Sequence, residues 1–260
     1  KSLRAYHFHG CQSPRNRHGR AWSLPLRRVI RYLPRMIAAV GTTELKAIIF
    51  DLDGTLVDSI AALQAIATEF MDEMGWRPLE RAEARAYIGH GSRWFLEQAL
   101  RARDVWDPDA FETRFTRFHE IYANAPGAAN TPFPAVSTVL EKLRNREGLA
   151  LGLCTNKPKA PTRVVLEAHG WAPLFDCVIA GDELAERKPH PLPLETVVSR
   201  TGAREAVYIG DSEVDCATAA AAGIPFVFFT EGYCNAPLDE TAVHASFSRY
   251  DDLIDILDRL

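Results

Sequence analysis

Five strand-length apolar runs punctuate this chain, and their alternation with helical patterns constrains the fold more tightly than any single motif. They occupy residues 47–50, 149–154, 177–180, 206–209 and 225–229, and most are rich in Val, Ile and Phe. Helical patterns fall between the later runs, at 161–169, 192–200 and 213–222. A last one, at 250–260, carries Leu253, Ile254 and Leu257 on one face. Strands and helices in alternation imply right-handed crossovers, which give a doubly wound parallel sheet with helices on both faces. The fold class is α/β.

One interval breaks that rhythm. Almost a hundred residues separate the first two runs, and their early part is helical throughout. Ile60, Leu63, Ile66, Phe70 and Met74 recur with a 3.6-residue period behind Ser59, a candidate N-cap. Phe111, Phe115, Phe118 and Tyr122 do the same behind Asp107-Pro108, and Trp94, Phe95 and Ala99 mark a helix between the two. Proline-bearing loops at 124–134 return the chain to the sheet. A helical insert placed directly after the first strand reads as a separate cap at 59–130, with its aromatic stripes as its own core. Residues 44–58 and 131–260 then form the core that carries the sheet.

Three of the apolar runs end abruptly in reactive polar groups. The first leads into Asp51-Leu52-Asp53-Gly54-Thr55, the second into Thr155-Asn156, and the fourth into Gly210-Asp211. Ligands of open parallel sheets bind outside the carboxyl ends of the strands, so these groups converge on one crevice. Asp51 and Asp53 lie two apart in extended chain and project to one side. Asp211 adds a third carboxylate and Asp215, one helical turn on, a fourth. Such a cluster repels itself unless a cation sits within it. Oxygen ligands without His or Cys suit Mg²⁺. Lys188 supplies a point positive charge, while Thr155 and the amides of Asn156 and Gly54 can donate to anionic oxygens. Acids, Mg²⁺, one lysine and turn amides together describe phosphoryl transfer. Asp51, at the strand end, is placed as nucleophile, and Asp53 as the acid and base that serves leaving group and water.

The formal net charge of −4 averages two unlike parts. Residues 1–35 hold nine basic residues and no acid, whereas 36–260 carry a net −13. Residues 1–43 read as a basic extension, disordered or non-native, with Met36 a natural start and the residues before it upstream sequence. An Arg-rich, acid-poor segment also fits an organelle transit peptide, and a third reading makes it an arm for nucleic acid or acidic lipid. The acidic remainder argues against non-specific nucleic-acid binding. Five cysteines without a CxxC pair form neither a disulfide framework nor a zinc pattern, which favours a reducing, cytoplasmic setting. The longest uncharged apolar stretch, 216–230, contains Gly223 and Pro225 and is shorter than the roughly 20 residues of a membrane helix. No membrane partner is expected.

Together the motifs resemble those of the haloacid dehalogenase superfamily, most closely its bacterial phosphoglycolate phosphatases. They are DLDGTLVDS from Asp51, CTNKP from Cys154, RKPHP from Arg187 and GDSEVD from Gly210. The resemblance covers residues 45–260. It implies Asp51 as nucleophile and Mg²⁺ ligand, and Asp53 as acid/base offering its main-chain carbonyl to the metal. It also implies Thr155 and Lys188 at the phosphate, Asp211 on Mg²⁺, and Asp215 acting through water or by fixing Lys188. The insert is similar to the family's α-helical cap, which excludes water from small substrates. Dehalogenases of this group lack the second aspartate, so Asp53 argues for phosphate. Phosphonate-cleaving relatives need a cap lysine, and residues 60–130 contain none; mutase relatives carry a cap-entry histidine where this chain has Leu63.

The expected activity is hydrolysis of 2-phosphoglycolate by a monomer or homodimer, with pyrophosphate and sugar or amino-sugar phosphates as alternative substrates. Gly89-His90-Gly91-Ser92-Arg93 is the candidate specificity turn, through which His90 and Arg93 reach the substrate's carboxylate. Cys154 reads as a buried small hydrophobe. His119, His169 and His244 read as surface or helix-end residues, and Lys157 and Lys159 as contributors to local potential.

Overall fold

The strand Lys46–Phe50 (β1) sends alternate side chains to opposite faces of a sheet: Ile48 and Phe50 enter one apolar cluster, Ala47 and Ile49 another. The computed structural model describes residues 46–260, and the basic extension read at 1–43, with Met36, lies outside the described residues. Beyond β1 a short ribbon forms, in which Val57–Asp58 (β2) pairs antiparallel with Thr131–Pro132 (β3). The helical interval is strung between these two strands, so its entry and exit lie side by side.

Four helices fill that interval: Ile60–Glu73 (α1), Arg81–Tyr87 (α2), Ser92–Arg101 (α3) and Pro108–Asn124 (α4). Their apolar faces enclose a separate cluster that includes Phe70, Leu96, Leu100 and Phe118. Helix α4 starts as its sequence predicts, with the Asp107 side chain accepting from Asp109 N. At α1 the capping group differs from the expected one. Ser59 holds the N-cap position but its hydroxyl bonds nothing, and Asp58 accepts from Ile60 N instead. Helix α2 has no apolar period to announce it; Ala84 is its one buried side chain.

The remaining strands are Leu149–Cys154 (β4), Cys177–Ile179 (β5), Glu205–Gly210 (β6), Phe226–Phe229 (β7) and Val243–Phe247 (β8). They join β1 in the order β5-β4-β1-β6-β7-β8, every pair parallel. The chain builds outward from β1 to β5 on one side and then crosses back to build β6 to β8 on the other. Strand order therefore reverses beside β1, where a doubly wound sheet opens its ligand crevice.

Helices cover both faces. Val136–Arg144 (α5) and Lys159–Ala168 (α6) pack on the face of Ile48 and Phe50 through Val139, Leu140, Leu143 and Val165. Leu192–Thr201 (α7) and Glu213–Ala222 (α8) cover the other through Leu194, Val197 and Ala219. The carboxyl-terminal helical pattern is realised as a short helix, Leu253–Leu257 (α9), after a 3₁₀ turn at Tyr250–Asp252. Among the described residues no helix is long and apolar enough to cross a membrane.

Candidate active site

Register delivers three polar strand ends to one place. Phe50 stands opposite Leu153 on β4 and Ile209 on β6, so Asp51, Thr155 and Asp211 emerge together beyond the sheet. The ladder continues one step past β1, where Asp51 N donates to Ile209 O at 2.9 Å. The backbone of Asp51 is thus pinned while its side chain is buried at the floor of the crevice.

Lys188 sits at the centre, with only 3% of its side chain exposed. Its Nζ lies 2.7 Å from Asp215 Oδ1, 2.7 Å from Asp51 Oδ1 and 2.9 Å from the Tyr208 hydroxyl. The contact with Asp51 is a buried ion pair. Asp215 has more partners. Its Oδ1 accepts from Lys188 and Tyr208, and its Oδ2 from Ser212 Oγ at 2.6 Å and from the amides of Ser212 and Asp211. Asp211 accepts from Thr55 Oγ1 at 2.6 Å and from Tyr233 N at 2.7 Å.

These environments separate the three acids. Burial pushes the Asp51 carboxyl up to about 7, against the pull of Lys188. Burial, then repulsion from Asp215 and Asp51, drives Asp211 well above the ordinary carboxylate range. Burial also opposes the charge of Asp215, but Lys188, Ser212 and Tyr208 outweigh it and hold this carboxyl below its usual value. Lys188 is penalised by burial yet kept above the ordinary lysine range by Asp215 and Asp51.

The three carboxylates place ligand atoms within 4.8 Å of one another. Two of them are disfavoured as anions in this setting. An all-oxygen set with those properties fits a hard divalent cation. The carboxylate of Asp53 is not in this cluster; it turns instead to Lys157, with Nζ to Oδ1 at 2.8 Å.

The cluster has a measurable consequence. Between about pH 4 and 7 the folded, metal-free protein holds protons on Asp51 and Asp211 that the unfolded chain releases, so its stability falls as pH rises through that window. We expect the chelated protein to melt at lower temperature at pH 8 than at pH 5, and added Mg²⁺ to raise the pH 8 value most. Thermal melts that are flat with pH and indifferent to Mg²⁺ would contradict this account of the acids.

Gly54 serves the site differently from what its spacing predicts. The Gly54 amide already donates to Val57 O at 2.8 Å, so it is not a phosphate donor here. Its role is steric: φ is +89°, and a Cβ would lie 2.2 Å from Asp211 Oδ2. The Asn156 side chain braces the walls, donating to the carbonyls of Gly89 and Lys188 and accepting from Lys188 N. The Thr155 hydroxyl accepts from Lys157 N at 3.2 Å and keeps its own proton to give.

Asp51, Asp53, Thr155, Asn156, Lys157 and Lys188 line one cleft of about 440 Å³, open mouth included. Its other wall comes from the helical interval and contains Phe95, Phe118 and Tyr122. The aromatic stripe is therefore both the core of those helices and a face of the cleft. Arg93 does not reach it. The Arg93 guanidinium pairs with Glu112 and lies 5.0 and 4.6 Å from the Phe111 and Phe115 ring centroids, which hold it away from the crevice. His90 also lines a separate surface, against Trp94 and 4.0 Å from Glu213. The expectation that these two residues bind the substrate's carboxylate does not fit this geometry.

Sequence reasoning gave Lys157 only a share in the local potential and assigned no site role to Tyr208 or Tyr233. Lys157 is 1% exposed and spans from Asp53 to the Tyr122 ring, 5.3 Å away. Tyr208 reads as one more apolar strand residue, yet its hydroxyl sits between Lys188 and Asp215. Tyr233 bonds Asp211 through its amide and Asp58 through its hydroxyl, which links the acid cluster to the base of the ribbon. Cys154 is fully buried and its thiol, pushed up to about 12 by burial, is inert.

A doubly wound sheet with acids, a threonine and a buried lysine at its switch point defines a hydrolase of the phosphoryl-transfer type in which a side-chain carboxylate can act as nucleophile. The haloacid dehalogenase-like hydrolase family matches residues 48–229, and the chain belongs to it. Phosphoglycolate phosphatase of Cereibacter sphaeroides is 40% identical over 215 residues, covering 82% of this chain and 98% of that protein. Phosphoglycolate phosphatase of Rhodospirillum rubrum is 39% identical over 220 residues, covering 82% and 90%. Among solved structures, a predicted phosphoglycolate phosphatase from Haemophilus somnus superposes with a TM-score of 0.76 at 28% identity, covering 84% of this chain and all of that one.

Proposed function

We propose that this protein is a Mg²⁺-dependent phosphomonoesterase that hydrolyses 2-phosphoglycolate to glycolate and phosphate through an aspartyl-phosphate on Asp51. The observation that carries the reading is the buried Asp51 carboxylate, paired with Lys188 on the floor of a cleft shared with Thr155. The phosphoglycolate phosphatases to which the chain is similar support the choice of ester.

In the first half-reaction an Asp51 oxygen bonds to phosphorus, the ester P–O bond breaks, and Asp53 gives a proton to the departing glycolate oxygen. In the second, Asp53 takes a proton from water as its oxygen attacks phosphorus, and phosphate leaves Asp51 as a carboxylate. Lys188, the Thr155 hydroxyl and the Asn156 amide hold the phosphoryl oxygens, Lys188 being kept in place by Asp215 and Tyr208. Asp51 and Asp211, with the Asp53 main-chain carbonyl and Asp215 behind them, would hold Mg²⁺, which neutralises phosphoryl charge when bound. Residues 59–130 act as the cap, whose Phe95, Phe118 and Tyr122 keep bulk water from the cleft.

Relative kcat/KM over a panel of small phosphate compounds tests the substrate. 2-Phosphoglycolate is expected to exceed pyrophosphate, sugar phosphates and amino-sugar phosphates by at least about tenfold. Activity should vanish in EDTA and return with Mg²⁺. A panel led by pyrophosphate or a sugar phosphate would move the substrate while leaving the chemistry standing.

A further inference from the structure

We infer, building on the 2-phosphoglycolate reading above, that Lys157 is the receptor for the substrate's carboxylate and sets the preference for carboxylate-bearing esters. Among the described residues two cationic side chains line the cleft, Lys188 and Lys157. Lys188 is committed to Asp51, Asp215 and Tyr208. Arg93 is held at Glu112, and Arg187 lies at the rim, its guanidinium beside Gly91. A substrate with a second anionic group needs a partner for it, because the wall opposite the acids is aromatic and an unpaired carboxylate against it is costly.

The Lys157 ammonium has capacity for that partner. It carries three protons. One goes to Asp53 at 2.8 Å, a second makes a long contact of 3.4 Å to Asn130 Oδ1, and the neutral Tyr122 side chain stands beside the third; among the described residues no other carboxylate pairs with it. Its main chain is fixed from two sides, as Lys157 N donates to Thr155 Oγ1 and its carbonyl accepts from Gly181 N. A charge-assisted hydrogen bond from so rigid and buried a donor discriminates strongly.

Substrate chemistry then fixes which lysine must do this. In 2-phosphoglycolate a single methylene separates the ester oxygen from the carboxylate carbon. Whatever holds the carboxylate must therefore stand beside the group that protonates the ester oxygen. Lys157 does so, because it already grips Asp53. One ammonium that binds both the Asp53 side chain and the substrate's carboxylate places the ester oxygen at the acid, an alignment unavailable to an ester with a neutral tail.

The test compares 2-phosphoglycolate with 2-hydroxyethyl phosphate, an ester of similar length without the carboxylate. In wild-type protein kcat/KM should favour 2-phosphoglycolate by about 100-fold. Lys157→Met should slow both esters, since Asp53 loses its partner, but should also collapse that ratio by about 30- to 100-fold; Lys157→Arg should recover part of it. Equal losses on both esters in Lys157→Met would reduce Lys157 to a support for Asp53 and overturn the inference. A ratio kept in Lys157→Met but lost in Arg187→Gln would move the receptor to the rim and overturn it too. Should Lys157→Met not fold, wild-type protein suffices: glycolate should inhibit at concentrations where ethylene glycol does not, and equal inhibition would overturn the inference. Wild-type protein inactive on 2-phosphoglycolate would sink the substrate reading itself, a result distinct from an active wild type whose ratio survives the substitution.

Discussion

Asp51→Asn is expected to lower turnover by about five orders of magnitude while leaving the protein folded. The amide keeps the shape of the side chain but cannot form a mixed anhydride with phosphate. Folding should survive because Lys188 retains Asp215 and Tyr208 as partners. The metal-free variant should melt no lower than wild type at pH 8, where the native carboxylate bears a charge that its burial opposes. Steady-state rates beside thermal melts separate the two effects. Residual turnover within tenfold of wild type would remove Asp51 from the chemistry.

Lys188→Met should be both inactive and unstable. It strips the cation from two buried carboxylates and a buried hydroxyl, and breaking such a set by removing one partner costs about 3–5 kcal/mol. Without Lys188 the folded-state pKa values of Asp51 and Asp215 both rise, so the loss should be greater at pH 8 than at pH 5. Mg²⁺ should recover part of the stability at pH 8 and none of the activity. Lys188→Arg is not expected to rescue, since three acceptors converge on one point charge and a planar guanidinium cannot meet them together. Denaturant unfolding at the two pH values checks the sign; a greater loss at pH 5 would contradict the electrostatic account.

How much of this was legible beforehand follows from the kind of signal each part leaves. β1, β4 and β6 are buried on both faces, so they appear as unbroken apolar runs, and the polar residue that ends each run marks the site. β8 is an edge strand with a half-exposed pattern broken by His244 and Ser246, and it leaves no such run. Helix α5 has a plain helical period in Val136, Val139, Leu140 and Leu143, although it follows directly on loops read at 124–134. Asp51, Asp53, Lys188 and Asp211 carry motif spacing. Lys157 lies inside the CTNKP motif but reads only as a contributor to local potential until the fold places Asp53 against it. The error at Arg93 is of the same kind. Spacing put a cation on the right turn, but Glu112 and two phenylalanine rings from α4 decide where its guanidinium rests.

The central claim is the covalent step, and rapid acid quench of enzyme mixed with ³²P-labelled 2-phosphoglycolate tests it most directly. The account predicts label on the protein within the first turnover, stable to acid and lost in hydroxylamine, mapping to the peptide that contains Asp51. Protein that releases phosphate at full rate with no label at any time, or with label on another residue, would contradict it.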